Sequence, residues 1–271
     1  MITLETKDYH KAILPLSHVN INTLFAEAVI LQRISGTIFV DCEKDPSTFY
    51  VVHPYGMSLL FGDTDNEYFH HALLEYITNS KQIRNKPEWL QIAPEGAWIS
   101  KIESMVNTHN CANHQNPIIK QRRVNFIFNK ETYHQSKEHY HSQGTYIMQT
   151  TKEQFLSLTG SVSPRYFWRN ADQFLAEGIA YSLLDNEEVA STAFSAFRNG
   201  HQLEIGIETS EAYRGKGYAY SVCSALIDYC LKNELEPVWA CRVENEGSYK
   251  LALRLGFTPT TNIPYYGLAY F

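Results

Sequence analysis

The chain has 271 residues, 44% of them hydrophobic, and a formal net charge of −6 with a sequence pI near 6.0. This composition can build a large core and excludes wholesale disorder, while the net acidity argues against a nucleic-acid binder that works by neutralising phosphates. No apolar run approaches the length of a membrane helix, Met1-Ile2-Thr3-Leu4-Glu5 lacks the basic and apolar regions of a secretory signal, and five cysteines without a C-x-x-C pair read as free thiols, so a cytoplasmic location is expected.

In chain order, a helical pattern over about Asn20–Ile34 precedes strands at Thr37–Asp41, Thr48–His53 and Met57–Phe61. A helix at Asn66–Thr78, a strand at Trp89–Ile92, a helix at Ala97–Thr108 and a strand at Arg122–Phe128 follow. The polar, His-rich stretch from Lys130 to Thr145 marks a boundary. It divides the chain into an N-terminal α/β domain, 1–135, and a second domain, 140–271.

In the second domain, Ser163-Pro164 predicts a helix start, with an N-cap followed by proline at the first helical position. Leu175–Leu184 alternates as a strand, Asp185–Glu188 is a turn, and Val189–Phe197 is a second strand. Asn199-Gly200 is a strong tight-hairpin signal, because both residues tolerate positive φ. A third strand, Gln202–Thr209, runs through a glycine-rich turn into a helix from about Gly217 to Asn233. Pro237 breaks the chain before a short strand, Val238–Cys241. Glu246–Leu255 is a helix stopped by Gly256, and Tyr265–Phe271 is a last strand. Both halves read as three strands, helix, strand, helix, strand, which raises duplication as a hypothesis.

The informative stretch runs from Leu203 to Ala219. A strand enters the turn Arg214-Gly215-Lys216-Gly217, which opens an amphipathic helix. Free N–H groups of a first helical turn, the positive end of the helix dipole and two nearby cations form a site for a phosphate or pyrophosphate. The turn lacks the G-x-x-x-x-G-K-[ST] run of a P-loop, and its antiparallel setting is unlike a dinucleotide-binding turn.

Tyr213-Arg-Gly-Lys-Gly-Tyr-Ala219 resembles the acetyl-CoA pyrophosphate loop of the GNAT superfamily of N-acetyltransferases. Asn245-Glu-Gly-Ser248 and Leu255-Gly-Phe257 resemble that superfamily's second motif. Glu204–Thr209, Pro237-x-Trp239-x-Cys241 and Ser248-x-x-Leu-Ala252 are similar to the two-part bacterial GNAT family that includes zwittermicin A resistance-type proteins. The resemblance implies an α+β (α/β sandwich) GNAT acyl-CoA N-acyltransferase fold with a mixed, mostly antiparallel sheet. A GNAT-like α/β N-terminal domain would precede it, with a degenerate GNAT-like unit as its candidate origin.

The implied cofactor is acetyl-CoA, used as acyl donor. The main chain of Ile207, Glu208 and Thr209 would meet its pantetheine arm as an added strand. Arg214, Gly215, Lys216, Gly217, Tyr218 and Ala219 would hold the pyrophosphate, Asn245 would meet the cofactor near its thioester end, and Ser248 would be a further cofactor-binding residue. A small molecule's primary amine would attack the thioester directly, with Glu204, the first choice, or Glu208 accepting its proton. The family's general-acid tyrosine falls at Ala252, so Tyr249, Tyr265 and Tyr266 are substitutes, with Tyr266 carried among the catalytic residues and solvent as a further proton source.

Other readings stay open at this stage. Ala252, and Ala212 where the family has Arg or Gln, fit a non-catalytic acyl-CoA-binding regulator as well. Glu204 and Glu208 also suit a solvent-facing strand face, and Asn245 a simple N-cap. His109-x-Cys111-x-x-His114 and His134 with His139 and His141 lack a zinc frame, so no metal is expected. The first-half counterpart of the phosphate loop, Gly62-Asp-Thr-Asp-Asn-Glu67, carries three acids that would repel a pyrophosphate. A cofactor-free N-terminal domain that shapes the acceptor pocket or an oligomer interface is expected. The partners are acetyl-CoA and a small amine, without nucleic acid or membrane, and a second copy of the chain is a candidate for a homodimer.

Overall fold

β-branched and aromatic runs alternate with amphipathic helical segments along the whole chain, and each such set closes on its own core. The computed structural model describes residues 1–93, 95–113, 116–136 and 144–269. They divide into two units: Met1–Val124 with Arg242–Glu244 and the residues from Thr261 onward, and Asn125–Cys241 with Asn245–Thr260.

The first unit contains β1 (Ile2–Thr3), α1 (Ile13–Ser17), α2 (Leu24–Ile30), β2 (Thr37–Val40), β3 (Thr48–Val52), β4 (Met57–Gly62), α3 (Glu67–Ile77), β5 (Glu88–Ala93) and α4 (Glu95–Ala112). It shares β6 (Ile119–Phe128) and β12 (Phe257–Leu268) with the second unit. β1 to β4 are antiparallel neighbours. β5 then runs parallel to β4 over five rungs, from Met57↔Trp89 to Phe61↔Ala93. β3, Thr-Phe-Tyr-Val-Val, is buried on both faces, as a β-branched and aromatic strand between two helical layers should be. On one face Tyr50, Leu60, Leu90 and Ile92 pack with Phe69 and Leu73 of α3 and Trp98 and Ile102 of α4. Side chains of this size contribute roughly 1.5–3 kcal/mol each when fully buried.

One polar cluster is built into that core. The carboxylate of Glu88, a residue only 2% exposed, accepts hydrogen bonds from the Tyr76 hydroxyl at 2.6 Å and the Tyr50 hydroxyl at 3.0 Å. Nearby, the buried Arg84 guanidinium donates to the carbonyls of Tyr76, Ile77, Lys86, Leu268 and Ala269. It thereby ties the end of α3 to the end of β12.

The second unit contains α5 (Lys130–Ser136), β7 (Thr145–Gln149), α6 (Lys152–Ser157), α7 (Ala171–Glu177), β8 (Ala180–Asp185), β9 (Glu188–Arg198), β10 (Gln202–Thr209), α8 (Tyr218–Lys232), β11 (Glu236–Arg242) and α9 (Glu246–Arg254). β7 to β10 are antiparallel neighbours, and β11 is parallel to β10. Val222, Cys223, Leu226, Ile227 and Cys230 form the fully buried stripe of α8, which packs on β8, β9 and β10. Both units thus carry helices on a mixed, mostly antiparallel sheet, the α+β arrangement. Each shows the order three strands, helix, strand with the same pairing directions.

Several sequence expectations need correction. The helix expected at Ser163 is one 3-10 turn, Pro164–Tyr166; α7 begins later, where the Asn170 side chain accepts from the Gln173 N–H. Leu175–Leu184 is therefore split: its first residues finish α7, and β8 starts at Ala180. Asn199 and Gly200 do not take positive φ. Instead the Asn199 Oδ1 accepts from the N–H groups of His201 and Gln202, at 2.9 and 2.8 Å, and closes a wider loop. Pro237 lies inside β11, opposite Leu203, at the second residue of the strand, where its missing N–H is tolerated. The final strand begins at Phe257, and Phe271 lies outside the described residues. The stretch expected to be a soft boundary holds α5 and the start of β7, with 137–143 outside the described residues.

Candidate functional site

β10 and β11 form a seam that opens part way along. β10 stays paired with β9 from Leu203 to Thr209, but it pairs with β11 only at Gln202, Leu203 and Glu204, opposite Glu236, Pro237 and Val238. Beyond Glu204 the parallel strands part. The main chain of Ile205–Thr209 on that side has no β11 ladder, which leaves room for an extended ligand to pair as a strand would.

At the end of β10 the chain makes a 3-10 turn, Glu211–Tyr213, and enters Arg214-Gly215-Lys216-Gly217. Gly215 has φ +79°, and a Cβ there would meet open space, so its glycine is required by conformation rather than by crowding. Gly217, at φ +82°, is the N-cap of α8; no side chain caps the helix and no acid lies in its first turn. The free N–H groups of a 15-residue helix therefore face outward with the positive end of its dipole behind them.

The two cations of this loop are held by the protein's own acids. The Arg214 Nε–H donates to the Thr209 carbonyl, and its guanidinium lies 3.7 Å from Glu208. The Lys216 ammonium lies 3.6 Å from Asp185 and 4.8 Å from the Tyr213 ring centroid. The Tyr218 hydroxyl donates to Asp185 at 2.7 Å, and the Tyr213 hydroxyl donates to Glu188 at 2.7 Å, which pushes Tyr213 up to about 12. Asp185 and Glu188 flank the β8–β9 turn and shape the loop from beneath. Read along the sequence they are only turn residues; the signal that marks them is an acid pair two strands away from a Tyr-Arg-Gly-Lys-Gly-Tyr run.

Alternation along β10 puts Glu204, Gly206 and Glu208 on one face, because the register irregularity between Glu204 and Ile205 adds its extra residue, Ala196, to β9. That face is roofed. A Cβ on Gly206 would come within 2.5 Å of the Phe194 ring, which is itself fully buried and packed on Phe167. Glu204 is 5% exposed. Glu208 accepts from the Val162 N–H at 3.0 Å and the Ser161 hydroxyl at 3.3 Å. It also borders a small cavity of about 90 Å³ with Thr159, Ser191, Thr192 and Ser210. Neither carboxylate is an ordinary solvent-facing strand residue.

Asn245 caps α9 by accepting from the Ser248 N–H at 3.2 Å, and the Ser248 hydroxyl accepts from the Trp239 indole N–H. Ala252, where a tyrosine would stand by family pattern, is fully buried. Of the three substitute tyrosines, only Tyr249 belongs to the second unit; it is half-buried, edge-on to Phe126 at 5.3 Å. Tyr265 and Tyr266 belong to the first unit, where Tyr266 is a fully buried core residue opposite Leu90. Among the described residues no group of three or more His, Cys, Asp or Glu side chains is gathered closely enough to hold a metal, and His114, His139 and His141 lie outside them. No described helix is long and apolar enough to cross a membrane.

The first unit's counterpart of this site is closed. Its parallel pair, β4 and β5, is zipped over five rungs. The N-terminus of α3 is occupied by the Asn66 side chain, which accepts from the Phe69 N–H, and Glu67 sits in its first turn.

Comparison with known proteins places these features in a family. A model described as GNAT acetyltransferase matches residues 16–266. The uncharacterized N-acetyltransferase YdfB of Bacillus subtilis is 24% identical over 245 residues, covering 89% of each chain. A GCN5-related N-acetyltransferase-like protein from Streptococcus suis shares the fold with TM-score 0.72 at 20% identity, over 98% of this chain and 100% of its own. A tandem GNAT protein from the clavulanic acid biosynthesis pathway matches with TM-score 0.63 at 8% identity, over 99% of this chain and 97% of its own.

Proposed function

Since the chain belongs to the GNAT acetyltransferase family and is an N-acetyltransferase, we propose that its donor is acetyl-CoA and its acceptor the primary amine of a small molecule, which attacks the thioester directly. The observation that carries the reading is the seam between β10 and β11 leading into an α8 N-terminus free of any side-chain cap. The main chain of Ile207, Glu208 and Thr209 lies along the open part of the seam and suits an amide-bearing pantetheine arm. The N–H groups from Arg214 to Ala219 suit its pyrophosphate. Acetyl-CoA supplies the acyl thioester; the protein's residues have to bind it, orient the amine and move a proton.

Glu204 is the better base. It is buried, so a carboxylate there acts in a medium where its charge is felt strongly. Glu208 already accepts from Ser161 and Val162 and faces Arg214, which suits it to holding the 161–162 segment beside the loop. Tyr249 and solvent are the proton donors this reading keeps for the leaving thiolate. Asn245 and Ser248 stand at the start of α9, where capping leaves the amide nitrogen of Asn245 available. The five free cysteines suit a reducing compartment, and we assign the activity to the cytoplasm. The first unit, with its sealed strand pair and capped, acidic α3, reads as a degenerate copy without a cofactor.

Calorimetry with acetyl-CoA followed by thiol release across a panel of small amines tests the assignment. Binding at micromolar cofactor with amine-dependent release supports it. Absence of binding at high micromolar acetyl-CoA overturns it. Glu204→Gln is expected to lower kcat by about 10²–10⁴ with little change in acetyl-CoA affinity.

A further inference from the structure

The first unit holds a second chemistry-bearing cavity, of about 400 Å³, between the ends of β2 and β3 and the segment leading from α3 into β5. Its lining includes Phe39, Tyr76, Ile83, Arg84, Lys86 and Glu88, all of the first unit. Phe39 and Tyr76 form an aromatic wall, with centroids 5.2 Å apart, and Tyr50 stands edge-on behind Tyr76 at 5.2 Å.

Glu88 has the features of a preorganised anion. Each of its oxygens is fixed by one tyrosine hydroxyl, and it is nearly fully buried. Among the described residues no Lys, Arg or His nitrogen lies within 4.0 Å of it, although two cations share the cavity wall. Arg84 directs its guanidinium to main-chain carbonyls, and Lys86 donates to the Pro54 carbonyl at 2.6 Å. His53, in the same lining, is held neutral by burial, with its value lowered to about 3. Burial pushes Glu88 above the usual carboxylate range, against the opposing pull of the Tyr76 and Tyr50 hydroxyls and the more distant Arg84 and Lys86 charges. The Arg84 guanidinium lies over the Tyr76 ring, 5.9 Å from its centroid, so an incoming cation would meet the Glu88 charge and the Phe39 ring, the two kinds of feature that recognise organic ammonium ions.

We propose that this cavity is a binding site for a small organic ammonium ion, with Glu88 as its counter-ion and Phe39 and Tyr76 as its aromatic wall. The site belongs to the unit without the open strand seam, and none of its lining residues lies on β10, α8 or the loop between them. Its volume suits a compact amine.

The test uses the full chain without acetyl-CoA. Benzylammonium and n-butylammonium are titrated against their neutral isosteres, benzyl alcohol and n-butanol, by calorimetry and by methyl NMR at Ile83 and Val52. The expected result is saturable binding of the ammonium ions alone, with shifts at both methyl probes. Glu88→Gln should weaken it at least tenfold, and Glu208→Gln should leave it unchanged. Phe39→Leu keeps an apolar filler while removing one ring, and should weaken binding several-fold even if Glu88→Gln fails to fold. Equal binding of the alcohols, unchanged affinity in Phe39→Leu, or shifts confined to residues of the second unit would each overturn the proposal.

Discussion

Gly206→Ala is the sharpest test of how the candidate site is roofed. The added methyl would lie 2.5 Å from Phe194 Cζ and 2.7 and 2.8 Å from the two ring carbons beside it. That is about an ångström inside normal carbon–carbon contact. The ring has little room to yield, because Phe194 is fully buried and packed against Phe167 at 5.6 Å. Overpacking of this kind costs about 1–3 kcal/mol. For a chain of this size that lowers the melting temperature by roughly 2–4 °C per kcal/mol. Phe194→Leu removes the obstructing atoms, so the double variant should recover part of the loss, with a coupling of about 1 kcal/mol or more between the two sites. Thermal and urea unfolding of the four proteins measure the cycle. Strict additivity would refute the packing described above, and with it the claim that Glu204 and Glu208 share a covered face.

Three further outcomes are expected. Gly217→Val places a β-branched residue at φ +82°; the left-handed region costs an L-residue roughly 1–2 kcal/mol, so acetyl-CoA affinity should fall about 5–30-fold by calorimetry, and an unchanged Kd would remove the loop from the cofactor site. Asn245→Asp keeps an N-cap oxygen for the Ser248 N–H; unfolding should stay within about 0.5 kcal/mol while the KM for acetyl-CoA rises, and an unchanged KM would make Asn245 a cap alone. Glu88 is raised by burial from its ordinary value of 4.5, so its protonated form favours the fold; stability from this group is present below the ordinary value and is lost as pH rises through the raised one. Glu88→Gln should therefore compare better with the parent at neutral pH than at pH 4, and a pH-independent difference in unfolding free energy would contradict that sign.

The residues of α8 and its loop were readable because local rules and tertiary setting agree there. A buried apolar stripe, a glycine pair and an uncapped helix start all point the same way. Where a short-range pattern competed with a side-chain cap, sequence reading failed. Leu175–Leu184 alternates like a strand, yet Asn170 with Gln173 starts a helix that consumes its first residues. Asn199-Gly200 has hairpin composition, but the Asn199 side chain does the work of the turn. The tyrosines at 265 and 266 could be weighed as acids only by position, because the sequence does not reveal that β12 begins in one unit and ends in the other. The supporting acids of the loop, Asp185 and Glu188, were invisible for a similar reason: their partners are about 30 residues away along the chain.

The unequal seams carry a numerical consequence. Two strand pairs of the same order and direction occur in one polypeptide, one joined over five rungs and the other over three before it parts. Only the second leaves a strand edge and a bare helix start in line with each other. A chain that looks bipartite should therefore titrate as monovalent: one equivalent of CoA thioester per 271 residues, with a single-site isotherm and no interaction between donor molecules.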